Sequence, residues 1–183
     1  MNTGDDAAFE GAKVALFLGS RLVVIQRDDF PDLSFAGYWD LPGGGREGCE
    51  TPFACVQREC HEELGLMIWP ENITWRRGFA SAVTGDPVWF FVAHLSSEAE
   101  KRIVFGDEGQ GWRLMDVADF MIHPKVIAAF QDRLGRYLCE KTRRSRQENP
   151  RCSKRGEGDE HQEDPVRRGV SPRVSLAPRI PIT

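Results

Sequence analysis

One stretch constrains the fold and the function of this chain more than any other. It covers residues 44–66 and reads GGREGCETPFACVQRECHEELGL. Thr51 is a good helix N-cap and Pro52 suits the first helical position, so the sequence predicts that a helix begins here. Gly65 is typical of the position just after a helix, which leaves about four turns in between. At about 100° per residue, one side of this helix carries an apolar stripe: Phe53, Val56, Cys60 and Leu64.

Three glutamates lie beside that stripe, within a separate arc of about 100°. The like charges of Glu59, Glu62 and Glu63 repel one another, by a few tenths of a kcal/mol per pair even when they are exposed. The repulsion grows beside a buried stripe unless a cation lies among them. Carboxylate oxygens at this density suit Mg²⁺ or Mn²⁺, which take carboxylates, waters and substrate phosphates as ligands. For these three residues alone, a solvated acidic helix face is the alternative.

The spacing of the whole stretch is a more specific signal than the three charges alone. It reads G-x5-E-x7-R-E-U-x-E-E-x-G-U, where U is a bulky apolar residue. Every fixed position is filled, by Gly44, Glu50, Arg58, Glu59, Cys60, Glu62, Glu63, Gly65 and Leu66. This pattern resembles the signature of the Nudix (MutT-type) hydrolases. The preceding W-x-L-P-G-G run, from Trp39 to Gly44, is also typical of that family, so the resemblance extends beyond the signature.

The resemblance implies an α/β fold in which a mixed β-sheet is sandwiched between helices. It implies a metal-dependent hydrolase that attacks a nucleoside diphosphate linked to another group, with Mg²⁺ or Mn²⁺ as cofactor. The expected metal ligands are the carbonyl of Gly43 and the carboxylates of Glu59, Glu62, Glu63 and Glu108. Glu108 belongs to this set because MutT-type enzymes carry a further ligand in an E-G-Q context before an aromatic strand. An exposed loop glutamate is the alternative for Glu108.

Four further residues receive roles from the resemblance. Arg58 and Glu50 are expected to pair and to orient the metal-binding glutamates, so they count with those glutamates as catalytic residues. Arg27 is expected to contact a phosphate or a base, although a strand-end charge that reaches water is equally compatible with the sequence. Gly44 is expected to let the backbone approach the substrate closely. The general base stays open among three glutamates: Glu59, Glu62 and Glu108.

The predicted Nudix hydrolase domain covers residues 1–141. Residues 12–18 and 22–27 form a predicted hairpin, and further strands are predicted over residues 73–79, 88–95 and 112–115. Residues 96–102 are polar and predicted to be a loop, whereas residues 119–121 and 124–138 have helical character. From residue 142 the periodicity vanishes, which predicts a disordered charged tail over residues 142–183.

Charge and composition exclude several function classes. Residues 1–142 carry 14 Lys and Arg against 22 Asp and Glu, a net charge of −8, whereas residues 143–183 carry 10 against 6. An acidic domain argues against a nucleic-acid polymer as partner.

The chain shows neither an apolar run of the ~18 residues that a membrane span needs nor a signal peptide. Its five cysteines form no CxxC pair, so we expect a cytoplasmic protein. A homodimer is left open.

The predicted substrate class follows from excluding, one by one, the Nudix subfamilies whose additional motifs are absent from this sequence. The extra motifs of NADH pyrophosphatases and coenzyme A hydrolases are absent, and residues 82–84 (AVT) lack the proline or tyrosine of ADP-ribose and diadenosine-polyphosphate hydrolases. Arg27 and the E-G-Q motif favour a MutT-type nucleoside triphosphate pyrophosphohydrolase. The asparagine with which such an enzyme reads an oxidised guanine has no clear counterpart near His123. The alternatives are an ADP-ribose or nucleotide-sugar pyrophosphatase and a non-catalytic nucleotide-sensing module, a kind of relative that usually lacks signature glutamates.

Overall fold

A mixed β-sheet forms the centre of the computed structural model, which describes residues 8–81 and 84–148. Within those residues it has seven strands: β1 Gly11–Leu18, β2 Arg21–Gln26, β3 Trp39–Asp40, β4 Gly43–Gly45, β5 Ile73–Ala80, β6 Pro87–Leu95 and β7 Gly111–Met115. The helices are α1 Pro52–Leu64, α2 Val117–Ile122 and α3 Ala128–Glu148, with short 3-10 helices at Pro70–Asn72 and Ser97–Arg102. The predicted hairpin and the predicted strands are confirmed.

Strand β1 lies at the middle of the sheet, and its two edges differ. One edge pairs in parallel with β6 along the full length of β1. The other edge is divided, because residues 11–13 pair with β4 whereas residues 17–18 pair with β2. Beyond the hairpin turn, β2 leaves β1 and pairs with β7 and β3 instead. The two hairpin strands therefore diverge and leave a gap in the sheet, which β4 and its glycines border.

Each face of the sheet packs against helices, as the predicted α/β/α sandwich requires. Alternate residues of β1 point to opposite faces. Val14 and Leu16 join the cluster that contains the apolar stripe of α1, whereas Ala15 and Phe17 join the cluster beneath α2 and α3. Full burial of an aliphatic side chain contributes about 1.5–3 kcal/mol. Both layers of helix are therefore held to the sheet by many such contacts.

Helix α1 begins and ends where the sequence predicts. Thr51 caps its N-terminus, since the Oγ1 atom of Thr51 accepts a hydrogen bond from the backbone N–H of Ala54 at 3.2 Å. Gly65 has a φ of 65°, a left-handed conformation that suits glycine, and its N–H donates to the carbonyl of His61 at 2.9 Å. Cys60 is fully buried on the apolar stripe and serves there as a small hydrophobic residue. These local signals give the helix a defined start, end and rotation.

Two predictions of local structure are wrong. Residues 96–102 form a 3-10 helix at Ser97–Arg102 rather than a loop. Residues 124–127 are not helical, because Val126 forms a parallel bridge with Trp39 and α3 begins only at Ala128. Helix α3 then runs to Glu148, past the predicted domain boundary at residue 141. The rest of the predicted tail, residues 149–183, lies outside the described residues, as do Ala82 and Val83. In the described part of the chain, no helix is long and apolar enough to cross a membrane.

The N-cap of α1 can be tested by a single substitution. We expect Thr51→Ala to lower the free energy of unfolding by about 1 kcal/mol, because the N–H of Ala54 loses its acceptor. Urea denaturation followed by circular dichroism measures the change. Thr142→Ala is the matched control, since Thr142 is exposed within α3 and its hydroxyl donates only to the carbonyl of Leu138. It should change stability by less than about 0.5 kcal/mol, and an equal loss in both variants would contradict the capping role.

Candidate active site

The gap between β1 and β2 opens into a cleft with a volume of about 1070 Å³. It is walled by α1, by the β4 glycines and by the loop that precedes β7. Nearly all of the site residues predicted from the sequence line it: Arg27, Gly43, Gly44, Arg58, Glu59, Glu62, Glu63 and Glu108. Glu50, the remaining one, does not line the cleft but pairs with Arg58, which does. The fold thus collects residues from positions 27 to 108 of the sequence around one space.

Arg58 neutralises several carboxylates at once. Its Nε atom lies 2.8 Å from Oε1 of Glu50, which is the pairing that the sequence predicts. Its Nη1 atom lies 2.8 Å from Oε2 of Glu62 and 2.9 Å from Oε1 of Glu59, and Nη2 donates to the carbonyl of Gly45 at 3.0 Å. The hydrogen bond from Arg58 holds the pKa of Glu50 below its ordinary value. In return, Glu50 is the main group that raises the pKa of Arg58, which stays charged.

Two glutamates of α1, Glu63 and Glu59, have raised pKa values. Burial raises the pKa of Glu63 to about 7, although the nearby Lys13 charge and a 2.8 Å hydrogen bond from the N–H of Gly43 oppose that rise. Burial also raises the pKa of Glu59, whose side chain is 13% exposed, against the opposing charge of Arg58. A raised carboxylate pKa means that the charged form lacks full compensation from its surroundings. Additional positive charge in the cleft would therefore stabilise both ionised forms.

Two of the β4 glycines, Gly43 and Gly44, lie in close contact with neighbouring groups. A Cβ atom at Gly44 would clash with the carboxylate of Glu59, and one at Gly43 would clash with the carbonyl oxygen of Ala12 on β1. Gly43 also has a φ of 127°, which side-chain-bearing residues rarely adopt. The backbone of β4 consequently lies directly against both α1 and β1, and the N–H of Gly43 reaches Glu63.

The sequence did not single out two charged residues of the cleft, Lys13 and Asp40. The Nζ atom of Lys13 lies 3.1 Å from Oδ2 of Asp40, and Nη1 of Arg27 lies 2.9 Å from the same oxygen. Asp40 is 4% exposed, and its Oδ1 atom accepts from the N–H of Leu41 at 2.6 Å. The sequence offered two signals for them. Lys13 is the one charged residue in the apolar run AKVALFL, and Asp40 occupies the variable position of the W-x-L-P-G-G motif.

The structure gives different surroundings to Arg27 and Glu108. Arg27 is 28% exposed and donates to Asp40 and to the carbonyl of Ser34, so it is not a charge that simply reaches water. Together with Lys13 it brings two positive charges to one buried carboxylate. Glu108 is exposed on its loop and lines the cleft. The neighbouring Gly109 N–H donates to Asp28 at 3.2 Å, which holds that loop at the cleft.

The chemistry of these donors suits a hard divalent cation. Several carboxylates and the backbone of Gly43 lie along one cleft, and two of the carboxylates have raised pKa values. Within residues 8–81 and 84–148, no three acidic, histidine or cysteine side chains converge closely enough to hold a metal ion as they stand. Cation binding at α1 would therefore require the carboxylate side chains to move closer together.

The raised pKa of Glu63 has a measurable consequence for stability. Its value is about 7 in the folded protein, against an ordinary 4.5, so the folded state keeps a proton that the unfolded state loses between these pH values. Stability should fall as the pH rises through this window. Glu63→Gln removes this titrating group, but its amide oxygen can still accept the hydrogen bond from the N–H of Gly43. At pH 8 the free energy of unfolding of this variant should therefore exceed that of the unaltered protein, by up to about 3 kcal/mol.

Urea denaturation in EDTA at several pH values measures this difference. Glu71→Gln, which removes an exposed carboxylate outside the cleft, is the matched control for the loss of one negative charge. Parallel stability profiles for Glu63→Gln and the unaltered protein would contradict the buried, proton-binding state of Glu63.

Comparisons with known proteins agree with the signature and the fold. The family model for the NUDIX domain matches residues 10–138. Two curated relatives from Mycobacterium tuberculosis, strains CDC 1551 / Oshkosh and ATCC 25618 / H37Rv, carry the name "Putative 8-oxo-dGTP diphosphatase 2". Each is 44% identical over 54 residues, a match that covers 30% of this chain and 37% of the relative. The matched region thus spans little more than a third of those relatives' length.

Solved structures share the architecture at low sequence identity. A MutT protein from Methanosarcina mazei Go1 is 21% identical, with a TM-score of 0.57 over 72% of this chain and 93% of its own. A C. elegans Ap4A hydrolase is 16% identical, with a TM-score of 0.54 over 72% of this chain and 99% of its own. A bifunctional NMN adenylyltransferase/ADP ribose pyrophosphatase from Francisella tularensis is also 16% identical, with a TM-score of 0.56 over 76% of this chain and 43% of its own.

These neighbours share the fold, whereas the family assignment rests on the domain match. That match spans well over half of the chain and contains the entire signature, folded as a glycine-rich strand, a capped helix and a glycine stop. This chain therefore belongs to the Nudix hydrolase family.

Proposed function

We propose that this protein hydrolyses the pyrophosphate linkage of a nucleoside di- or triphosphate derivative, with Mg²⁺ or Mn²⁺ as cofactor. The observation that carries the proposal is the gathering of Glu59, Glu62 and Glu63 in one cleft with the cations Lys13 and Arg27. Water adds to one phosphorus, the bridging P–O bond breaks, and the products are a nucleoside monophosphate and pyrophosphate or phosphate. That reaction uses carboxylates to bind the metal ions and cationic side chains to attract the phosphate oxygens.

The proposed metal ligands are the carboxylates of Glu59, Glu62, Glu63 and Glu108 and the carbonyl of Gly43. When bound, the divalent ions neutralise phosphate oxygens and lower the pKa of a bound water. Glu59, Glu62 and Glu108 remain the candidates for the general base that takes the proton of the attacking water. These roles are proposals that rest on the chemistry of the donors and on the family membership.

The other charged residues support this chemistry by position. The carboxylate of Glu50 pairs with the Nε atom of Arg58. Arg58 in turn contacts Glu59 and Glu62. The pair of Glu50 and Arg58 is therefore proposed to orient the metal-binding carboxylates. Lys13 and Arg27 are proposed to attract the substrate's phosphates. The backbone of Gly44 leaves room for the substrate to approach.

A nucleoside triphosphate is the proposed substrate class, as in MutT-type enzymes. The name of the curated relatives, which refers to 8-oxo-dGTP, is compatible with that class, but the match covers only 54 residues. An ADP-ribose or nucleotide-sugar pyrophosphatase cleaves the same kind of linkage and is the alternative. A cytoplasmic location and a homodimer remain predictions from the sequence.

A substrate panel separates these classes. We expect the purified protein to convert nucleoside triphosphates to monophosphates and pyrophosphate in the presence of Mg²⁺ or Mn²⁺, and to lose this turnover in EDTA. The panel should include ADP-ribose and nucleotide sugars, with products resolved by ion-exchange chromatography. Turnover of nucleotide sugars alone would overturn the triphosphate proposal.

The role of the signature glutamates can be tested with Glu62→Gln. Metal assistance is worth several kcal/mol, so loss of this ligand should lower kcat by about 10³-fold. His61→Ala is the matched control, because His61 is the neighbouring exposed residue of the same helix and stands at a variable position of the signature. It should change kcat by less than about twofold. Nucleotide binding without turnover by the unaltered protein would instead indicate a nucleotide-sensing module.

A further inference from the structure

A second chamber adjoins the cleft. It has a volume of about 360 Å³ and shares five lining residues with the cleft: Lys13, Arg27, Asp40, Gly44 and Gly45. Beyond these, it extends between β6 and α3, where Val88, Ile127 and Phe130 line it. Its volume falls within the range of about 300–1,000 Å³ that is typical of small-molecule sites. A ligand whose phosphates lie in the cleft can therefore place its other end in this chamber.

Arg133 lies at the α3 side of the chamber and is almost fully buried, with 8% of its surface exposed. Its guanidinium carbon lies 5.1 Å from the ring centroid of Phe79 and 5.7 Å from that of Phe130. One hydrogen bond, from Nη2 to the carbonyl of Ala80, is long at 3.4 Å. Among residues 8–81 and 84–148, no carboxylate forms an ion pair with Arg133. A guanidinium carries five N–H donors, so most of its capacity to donate is unused.

Such an arrangement leaves the charge of Arg133 only partly compensated by protein groups. Burial lowers the pKa of Arg133, and the charge of the adjacent Asp132 opposes this only in part. Buried cations in proteins are normally paired or fully hydrogen-bonded. The rings of Phe79 and Phe130 stabilise the cation through their faces. They do not accept hydrogen bonds from the N–H groups that lie in the plane of the guanidinium. The fork of donors is thus available to a group that enters the chamber.

The lining of the chamber indicates what that group is. A phosphate calls for several donors. Apart from the residues that the chamber shares with the cleft, its lining includes the apolar side chains of Val88, Ile127 and Phe130. A flat, uncharged heteroaromatic ring suits such walls. The planar fork of arginine matches two adjacent acceptors, as on the O6 and N7 edge of guanine. Adenine presents an amino donor beside N7, which would face the N–H groups of arginine.

We propose that Arg133 determines base specificity, by donating hydrogen bonds to the acceptor edge of a guanine-type base held in this chamber. The inference rests on the proposed function for the identity of the ligand as a nucleotide. It adds a residue outside the signature, on α3, that selects among nucleotides by the hydrogen-bonding pattern of the base.

Binding of GMP and AMP to the metal-free protein, measured by titration calorimetry, tests this proposal without requiring turnover. The unaltered protein should bind GMP more tightly than AMP, by about tenfold or more. Arg133→Met keeps the length and apolar stem of the side chain but removes its donors. It should weaken GMP binding by about tenfold or more and AMP binding far less, so that the preference disappears.

Arg136→Met is the matched control. Arg136 lies one turn further along α3, and its guanidinium carbon lies 5.9 Å from the centroid of the same Phe79 ring. Its side chain is 56% exposed, however, and is already paired with Asp132 at 3.1 Å. This variant should keep the GMP preference within about twofold, because an exposed ion pair contributes little.

The outcomes separate this inference from the proposed function. Equal affinity of the unaltered protein for GMP and AMP, or an equal loss of both in Arg133→Met, would overturn the role of Arg133, even if triphosphates are hydrolysed. A guanine preference that depends on Arg133 would support it, even if the hydrolytic substrate proves to be another nucleotide. Should the methionine variant unfold, Arg133→Lys keeps the charge without the planar fork and should likewise lose the preference.

Discussion

The ion pairs of Arg58 with the acidic side chains around it are the interaction on which this site depends. Helix α1 carries three glutamates beside its buried stripe, and Arg58 contacts Glu59 and Glu62 while Glu50 fixes its position. Without that cation, like charges at helical spacing would repel one another at the edge of an apolar core. Arg58 thus allows an acidic cluster to exist in a folded protein, and it holds that cluster at the cleft.

Close backbone packing gives the cleft its shape. Because β2 leaves β1 after the hairpin turn, the sheet opens where β4 pairs with the start of β1. Gly43 allows β4 to lie against β1, where a Cβ atom would clash with the backbone of Ala12, and Gly44 leaves room for the carboxylate of Glu59 on α1. The adjoining chamber continues this opening toward α3 and Arg133. Phosphate-binding and base-binding regions would then be parts of one continuous space, which suits a nucleotide.

Local signals predicted the elements that local interactions stabilise. The cap at Thr51, the stop at Gly65 and the apolar stripe between them specify α1 within 15 residues, and each was confirmed. Prediction failed where distant contacts decide. Residues 124–127 have helical character, yet Val126 pairs with Trp39, a residue far away in the sequence. Lys13 was overlooked for the same reason, since its partner Asp40 is brought to it only by the fold.

The family, the signature helix and eight of the residues that line the cleft could be read from the sequence, because spacing along one helix and one turn sets which side chains share a face. The distribution of charge could be read only from the three-dimensional arrangement. It paired Arg27 and Lys13 with one buried Asp40, raised the pKa of Glu63 by burial and left Arg133 buried without an acidic partner among the described residues. Burial and charge compensation depend on groups that are distant in the sequence, so no local pattern encodes them.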